Sequence, residues 1–175
     1  SSYNDTSNKY VVSTLGHLSY IAQNSSLWNR NFIQTANIDA TVTKYWDDAD
    51  DDSDGDRYND DNDITSTGNN EGFLNIGANR YSNTYFTGEY DGAGYSIENL
   101  TINRPSTQKV GLFGDTSGAT IRNLGVTNDN ITGSSWVGSL VGIARSTTID
   151  NCSASGSVVS TKPYLVGGLV GYTFT

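Results

Sequence analysis

Asp50, Asp52, Asp54, Asp56, Tyr58 and Asp61 carry the spacing of a calcium-binding loop. Loops of the EF-hand type present oxygen ligands at positions 1, 3, 5, 7, 9 and 12, with glycine at 6 for the turn. Gly55 sets that register, placing Asp50 at the first position, Asp56 at the seventh (through its carbonyl), Tyr58 at the ninth and Asp61 at the twelfth. A shift of two residues either way puts Ser53 or Arg57 where glycine is needed. Aspartate in place of glutamate at the twelfth position still offers a carboxylate. Ten of the seventeen residues from Asp47 to Asp63 are aspartate, and Arg57 is the only base among them. The segment's net charge of −9 equals that of the whole chain. Carboxylates this dense repel one another unless a hard cation sits between them. Calcium is therefore the expected cofactor. Magnesium, which seldom uses an all-protein carboxylate cage, fits less well. The surplus Asp47, Asp48, Asp60 and Asp63 would serve a second ion. The competing expectation is a solvated acidic loop with no ion.

Other reactive side chains offer less. His17 is the only histidine and Cys152 the only cysteine, so neither a disulfide nor a classical triad has support. His17 reads as a residue on a helix surface. Glu89 and Asp91 form a carboxylate pair of the type used in glycoside hydrolysis, but Asp91-Gly92 is better read as a turn. Arg104, Lys109 and Lys162 are the cations a lyase would need, and nothing in the sequence brings them together. Trp28, Trp46, Trp136, Tyr81, Tyr85 and Tyr95 offer faces for sugar stacking, with core or interface packing the commoner use. Sequons stand at Asn4, Asn24, Asn99, Asn130 and Asn151.

The elements that must hold these groups are mostly strands. The chain has 175 residues, enough for one domain with a real core. It is 35% hydrophobic and rich in Gly, Asn, Ser, Thr and Tyr, the composition of a turn-rich β protein. Residues 1–12 are expected to be extended, and residues 13–175 one domain with an acidic insertion at 47–71. Leu15, Leu18, Ile21 and Ala22 share one face at helical spacing, with Ser13 or Thr14 as cap and Asn24 as the stop. One short helix is expected there, and no other of note. Phe32 to Ala40 alternates like a single half-buried strand, and order resumes at Gly72-Phe73-Leu74-Asn75-Ile76-Gly77.

The second half repeats. Leu112-Phe113-Gly114, Leu140-Val141-Gly142 and Leu169-Val170-Gly171 are spaced by 28 and 29 residues. Ile97-Glu98-Asn99-Leu100, Ile121-Arg122-Asn123-Leu124 and Ile149-Asp150-Asn151-Cys152 are spaced by 24 and 28. Such periods mean stacked units, and strands stacked about 4.8 Å apart place equivalent residues over one another. The expected fold is predominantly all-β, a right-handed parallel β-helix or β-solenoid with a short N-terminal helix. Ile97, Ile121 and Ile149 are expected to form one interior ladder, and Leu100, Leu124 and Cys152 another. Asn99, Asn123 and Asn151 are expected to form an amide ladder. After the third Gly-Leu-Val-Gly no further Ile-x-Asn follows, so that unit is expected to be completed by another chain or to belong to something longer.

Val110-Gly111-Leu112-Phe113-Gly114, Val137-Gly138-Ser139-Leu140-Val141-Gly142 and Val166-Gly167-Gly168-Leu169-Val170-Gly171 resemble the GLUG motif of bacterial cell-surface and secreted repeat proteins, many of them adhesin-like. Thr14 to Leu18 and Ile38-Asp39 resemble the helix and strand that often precede GLUG repeats. Phe86 to Ile97 resembles the segment before the first repeat. The acidic stretch looks like an insertion. The resemblance implies an exported β-helical module and transfers no catalytic residue.

The sequence thus points to a non-enzymatic, extracellular or cell-surface structural or adhesive module stabilised by calcium, with repeats over 96–175. Its expected partners are copies of itself or neighbouring modules, and carbohydrate. No basic stripe is present for nucleic acid, and no apolar stretch is long enough for membrane insertion. No signal peptide opens the chain, so export implies a leader already removed. The alternative is a polysaccharide-binding or polysaccharide-degrading β-helix, a lyase or hydrolase. Ice binding would want regular Thr-x-Thr rows, which the landmarks do not show.

Overall fold

A computed structural model describes residues 8–46, 70–77 and 84–174. The chain begins with β1 (Tyr10–Val12), α1 (Leu15–Gln23), β2 (Asn31–Gln34) and β3 (Ile38–Asp39). Three coils follow. The first holds β4 (Glu89–Asp91), β5 (Ser96–Glu98), β6 (Thr101–Asn103), β7 (Gln108–Val110) and β8 (Phe113–Ser117). The second holds β9 (Thr120–Arg122), β10 (Gly125–Gly133), β11 (Ser135–Val137) and β12 (Val141–Arg145). The third holds β13 (Thr148–Asp150), β14 (Ser153–Ser160) and β15 (Val170–Phe174).

Every pairing between these strands is parallel, as expected of a β-solenoid. One face stacks β1-β2-β4-β9-β13, the next β3-β5-β10-β14 with β6 also on β10. A narrow face pairs β7 with β11, and the last stacks β8-β12-β15. Inward residues form continuous ladders. Tyr10, Phe32, Tyr90, Ile121 and Ile149 make one, and Ile76, Phe113, Val141 and Val170 another. Between the first coil and the segments before it the ladders meet in an aromatic cluster. The Phe113 ring lies 4.9 Å from Phe86 and 5.6 Å from Tyr90, centre to centre.

The helix forms where its local signals place it. Thr14 is extended, and its Oγ1 accepts a hydrogen bond from the His17 N–H at 3.2 Å. Leu18, Ile21 and Ala22 are buried, and Asn24 ends the helix. Two short 3₁₀ turns also occur, Ser25–Leu27 and Thr41–Tyr45.

Three expectations need correction. Phe32 to Ala40 is two strands on adjacent faces, with Gln34 turned inward at the corner, where it accepts a hydrogen bond from the Tyr90 hydroxyl at 3.0 Å. Ile97 does not stack on Ile121: it lies on the next face, between Ile38 and Val126. The 24-residue interval is shorter than a coil because it runs from Ile97-Glu98-Asn99 on the second face of the first coil to Ile121-Arg122-Asn123 on the first face of the next. The asparagines therefore form two ladders. Asn128 donates to Asn99, and Asn99 Nδ2 to Asp39 Oδ1 at 3.0 Å. Asn151 Nδ2 donates to Asn123 at 2.9 Å, and Asn123 Nδ2 to Asp91 Oδ1 at 3.0 Å. Each ladder runs one way and ends on a carboxylate, which has acceptors and no donor.

Candidate functional site

The predicted metal ligands Asp50, Asp52, Asp54, Asp56, Tyr58 and Asp61 lie outside the described residues, as do the surplus aspartates. The structure does place the two ends of their segment. The Gly72 N–H donates to the Trp46 carbonyl at 2.8 Å. The Trp46 ring stacks on Phe73, centres 6.5 Å apart, and both are buried. Gly72 has a φ of +75°, and a Cβ there would stand 2.3 Å from the Thr101 carbonyl oxygen, so only glycine fits. Arg104 donates to the Gly72 carbonyl at 3.3 Å and pairs with Glu71 at 3.7 Å. The acidic segment thus leaves and rejoins the solenoid at one point, its base fixed by core packing. Among the described residues no group of three or more His, Cys, Asp or Glu side chains gathers to hold a metal.

The remaining sequence candidates separate. Glu89 and Asp91 share two cations: Arg122 lies 2.8 and 2.9 Å from them, and Lys9 2.9 and 3.8 Å. Burial works to raise the Asp91 carboxyl, but hydrogen bonds from Asn123 and the Ala93 N–H, with the charges of Arg122 and Lys9, outweigh it and hold the group below the usual range. Asp91 also closes the expected turn, accepting from the Ala93 N–H at 2.9 Å. Arg104 serves the loop base, Lys109 pairs with Asp115 at 2.9 Å, and Lys162 is exposed, so the three cations share no site. His17 is half-buried, and its Nδ1 accepts from the Ser13 N–H at 3.2 Å. Trp28 and Trp46 are core residues, Trp136 is half-buried and Tyr95 is 38% exposed. Tyr81 lies outside the described residues.

Cys152 stacks over Leu124 as expected, but Leu100 does not join that ladder, since it lies between β5 and β6 beside Asn130. Cys152 is only half-buried, because its coil is the last one described. Burial raises its thiol above the ordinary value, so it stays protonated at neutral pH. The same coil leaves other interior positions open. Ile149, Val158, Leu169 and Val170 are partly buried, and Tyr164, Leu165 and Val166 are exposed. Ala144, Ile149, Leu169, Val170 and Phe174 line a concavity of about 460 Å³ at this end.

Two buried acids were invisible in the sequence. Asp115 is clamped by Lys109 and by both Nε and NH2 of Arg145, at 2.8 and 3.1 Å. Asp129 is 3% exposed, and neither of its carboxyl oxygens has a hydrogen-bond partner.

Residues 133–159 match the family model described as the GLUG motif. In the structure this stretch is one turn of the solenoid, from the end of β10 through β11, β12 and β13 into β14. The chain is similar to halomucin of Haloquadratum walsbyi (strain DSM 16790 / HBSQ001), at 32% identity over 168 residues. That similarity covers 94% of this chain and 2% of halomucin, so the chain spans a small part of the curated relative it matches. Among solved structures, a Bacteroides ovatus protein named provisionally as an immunoglobulin A1 protease aligns at a TM-score of 0.45 and 15% identity. That alignment covers 98% of this chain and 63% of the other. The chain is thus a parallel β-solenoid, one turn of which, residues 133–159, matches the GLUG motif.

Proposed function

We propose that this chain is an extracellular, cell-surface structural and adhesive module, not an enzyme, and that calcium held by the 47–63 segment stabilises it. The observation that carries the reading is the pinned base of that segment. An insertion of such charge density, closed at both ends by the Trp46–Gly72 hydrogen bond and the Trp46–Phe73 stack, costs closure entropy and Coulomb repulsion. A bound cation offsets both. The similarity to halomucin supports the surface setting. The open third coil supports assembly through strand addition, with copies of the chain or neighbouring modules as partners.

Calorimetric titration with calcium tests the reading. Binding is expected, and chelation is expected to lower the melting temperature. At a free concentration near 100 times Kd, one ion contributes about 2.7 kcal/mol. For a chain of this size that is about 5–10 °C. Asp52→Asn and Asp54→Asn should each weaken binding without changing the melting temperature in chelator. No heat of binding, with a melting temperature indifferent to chelation, sinks the calcium reading. Sedimentation in calcium tests assembly separately: a strict monomer at high concentration argues against it.

A further inference from the structure

We propose that Asp129 makes the seating of the third coil on the second proton-dependent, tight when its side chain is a neutral acid and weaker when it is a carboxylate. The geometry begins with a break in β10. The pairing of β10 with β14 shifts register between Thr127 and Asp129, and Asn128 between them has a φ of +55°. The bulge turns Asp129 inward, onto the buried side of β10 shared by Val126 and Ile131. Both carboxyl oxygens are buried without a hydrogen-bond partner.

The third coil lies directly on this group. Gly156 of β14 is the register partner of Asp129. A Cβ at Gly156 would stand 2.3 Å from the Asp129 carbonyl oxygen and 2.5 Å from its Oδ1, and Gly156 has a φ of +149°. The backbone of the third coil at Gly156 therefore takes the place of solvent over the carboxyl, and no side chain fits at that position to shield the charge.

No charge faces the group. β6, β11 and β14 carry no titratable side chain, and β10 carries Asp129 alone. Glu98 of β5 alternates with the buried Ile97, so it faces outward, and it accepts from the Ser96 hydroxyl at 2.6 Å. On the flanking strands, Lys109 and Arg145 are committed to Asp115. Burial is accordingly the dominant influence and pushes the Asp129 carboxyl up to about 6. The buried Ser139 hydroxyl is near enough to oppose part of the rise but does not meet the carboxyl in hydrogen-bond geometry.

A carboxyl raised on folding favours the folded state fully below its unfolded value of 3.8. That advantage is lost as pH rises through about 6. Between those values the folding equilibrium of the affected unit should weaken by about 100-fold. Other carboxylates change stability in the same range, so the test is a comparison. Thermal unfolding of the full chain and of Asp129→Asn is followed from pH 4 to pH 8. Native hydrogen exchange reads β13, β14 and β15 against β4 and β8. The expected result is a parent chain that loses protection in the third coil between about pH 4 and pH 6.5, while the variant does not. Parallel pH profiles for parent and variant would overturn the proposal. Carbon NMR titration of the Asp129 carboxyl in the parent chain decides the matter independently of any variant. A midpoint near 6 supports it, and one at or below that of an exposed aspartate ends it.

Discussion

Replacing Phe113 with alanine should cost about 3–5 kcal/mol, while Val170→Ala, in the same ladder, should cost less than about 1 kcal/mol. Phe113 is fully buried and packs edge-on against Tyr90 and tilted against Phe86. Tyr90 belongs to the same coil and Phe86 to the segment before it, so the space left by the phenyl group cannot close without shifting backbone on two faces. Val170 stacks on Val141, which stacks on Phe113, but nothing described lies over it. Its two lost methyl groups already see water on one side. Against a total stability of about 5–15 kcal/mol, the first change should lower the melting temperature by about 6–20 °C and the second barely move it. Urea unfolding followed by tyrosine and tryptophan fluorescence measures both. A comparable loss at the two positions would mean that the third coil is covered in solution. That would be direct evidence for assembly through this end.

The difference between these two valine-or-phenylalanine positions follows from how solenoids are held. Each coil is stabilised by its neighbours, so an end coil has half the contacts of an inner one. The opposite end is treated differently. Between β1 and β2 the chain forms α1 where later coils form strands, and it buries Leu18, Ile21 and Ala22 in the common core. A helix has no free backbone donors along its side, so α1 itself offers no template for a further strand, while β1 and β3 remain edge strands among the described residues.

What could be read from the sequence was set by steric necessity. The GLUG glycines are legible because the backbone of the next coil presses on them. A Cβ at Gly111 would stand 2.6 Å from the Gly138 oxygen, and one at Gly142 2.6 Å from the Gly114 oxygen. No other residue fits, so the period survives in the letters. The Ile-x-Asn landmark misled because it records a corner, not a face. Asn99, Asn123 and Asn151 all have φ between +49° and +62°, a conformation that asparagine tolerates and most residues do not. Two corners of one coil need the same residue, and the sequence does not say which is which. The helix was legible because capping and burial are local. Asp115 and Asp129 were not, because an acid in a chain with 19 acids carries no sign of being buried. Their surroundings are set by residues about 30 positions away: Arg145 for Asp115, and Gly156 for Asp129. The calcium motif, the most explicit chemistry in the letters, falls in residues 47–69, outside the described part of the chain.

Asp115→Ala should destabilise the chain by about 3 kcal/mol, the largest effect of any polar substitution outside the acidic segment. Two effects oppose each other here. Removing the partner of a buried charge usually costs about 3–5 kcal/mol, because the remaining charge is stranded. Lys109 and Arg145 keep 30% and 25% of their side-chain surface exposed, so both can turn partly toward water, which favours the lower end. Arg145 cannot turn freely, however. Its guanidinium lies 4.6 Å from the centre of the Phe174 ring and 5.2 Å from that of Tyr85. It therefore ties the third coil, through Phe174, to the first, through Asp115, and to the segment before it, through Tyr85. Loss of the carboxylate frees the arginine from the first coil and loosens its hold on the other two. Asp115→Asn should be no milder than alanine, since its amide would place a donor against two donors. Arg145→Lys should recover little, because a single ammonium cannot make the two-pronged contact or lie flat on a ring. Denaturant unfolding at low and at 1 M salt separates this clamp from a surface pair. A buried clamp retains most of its contribution in high salt, whereas a loss below about 1 kcal/mol that vanishes in salt would show that solvent already screens it.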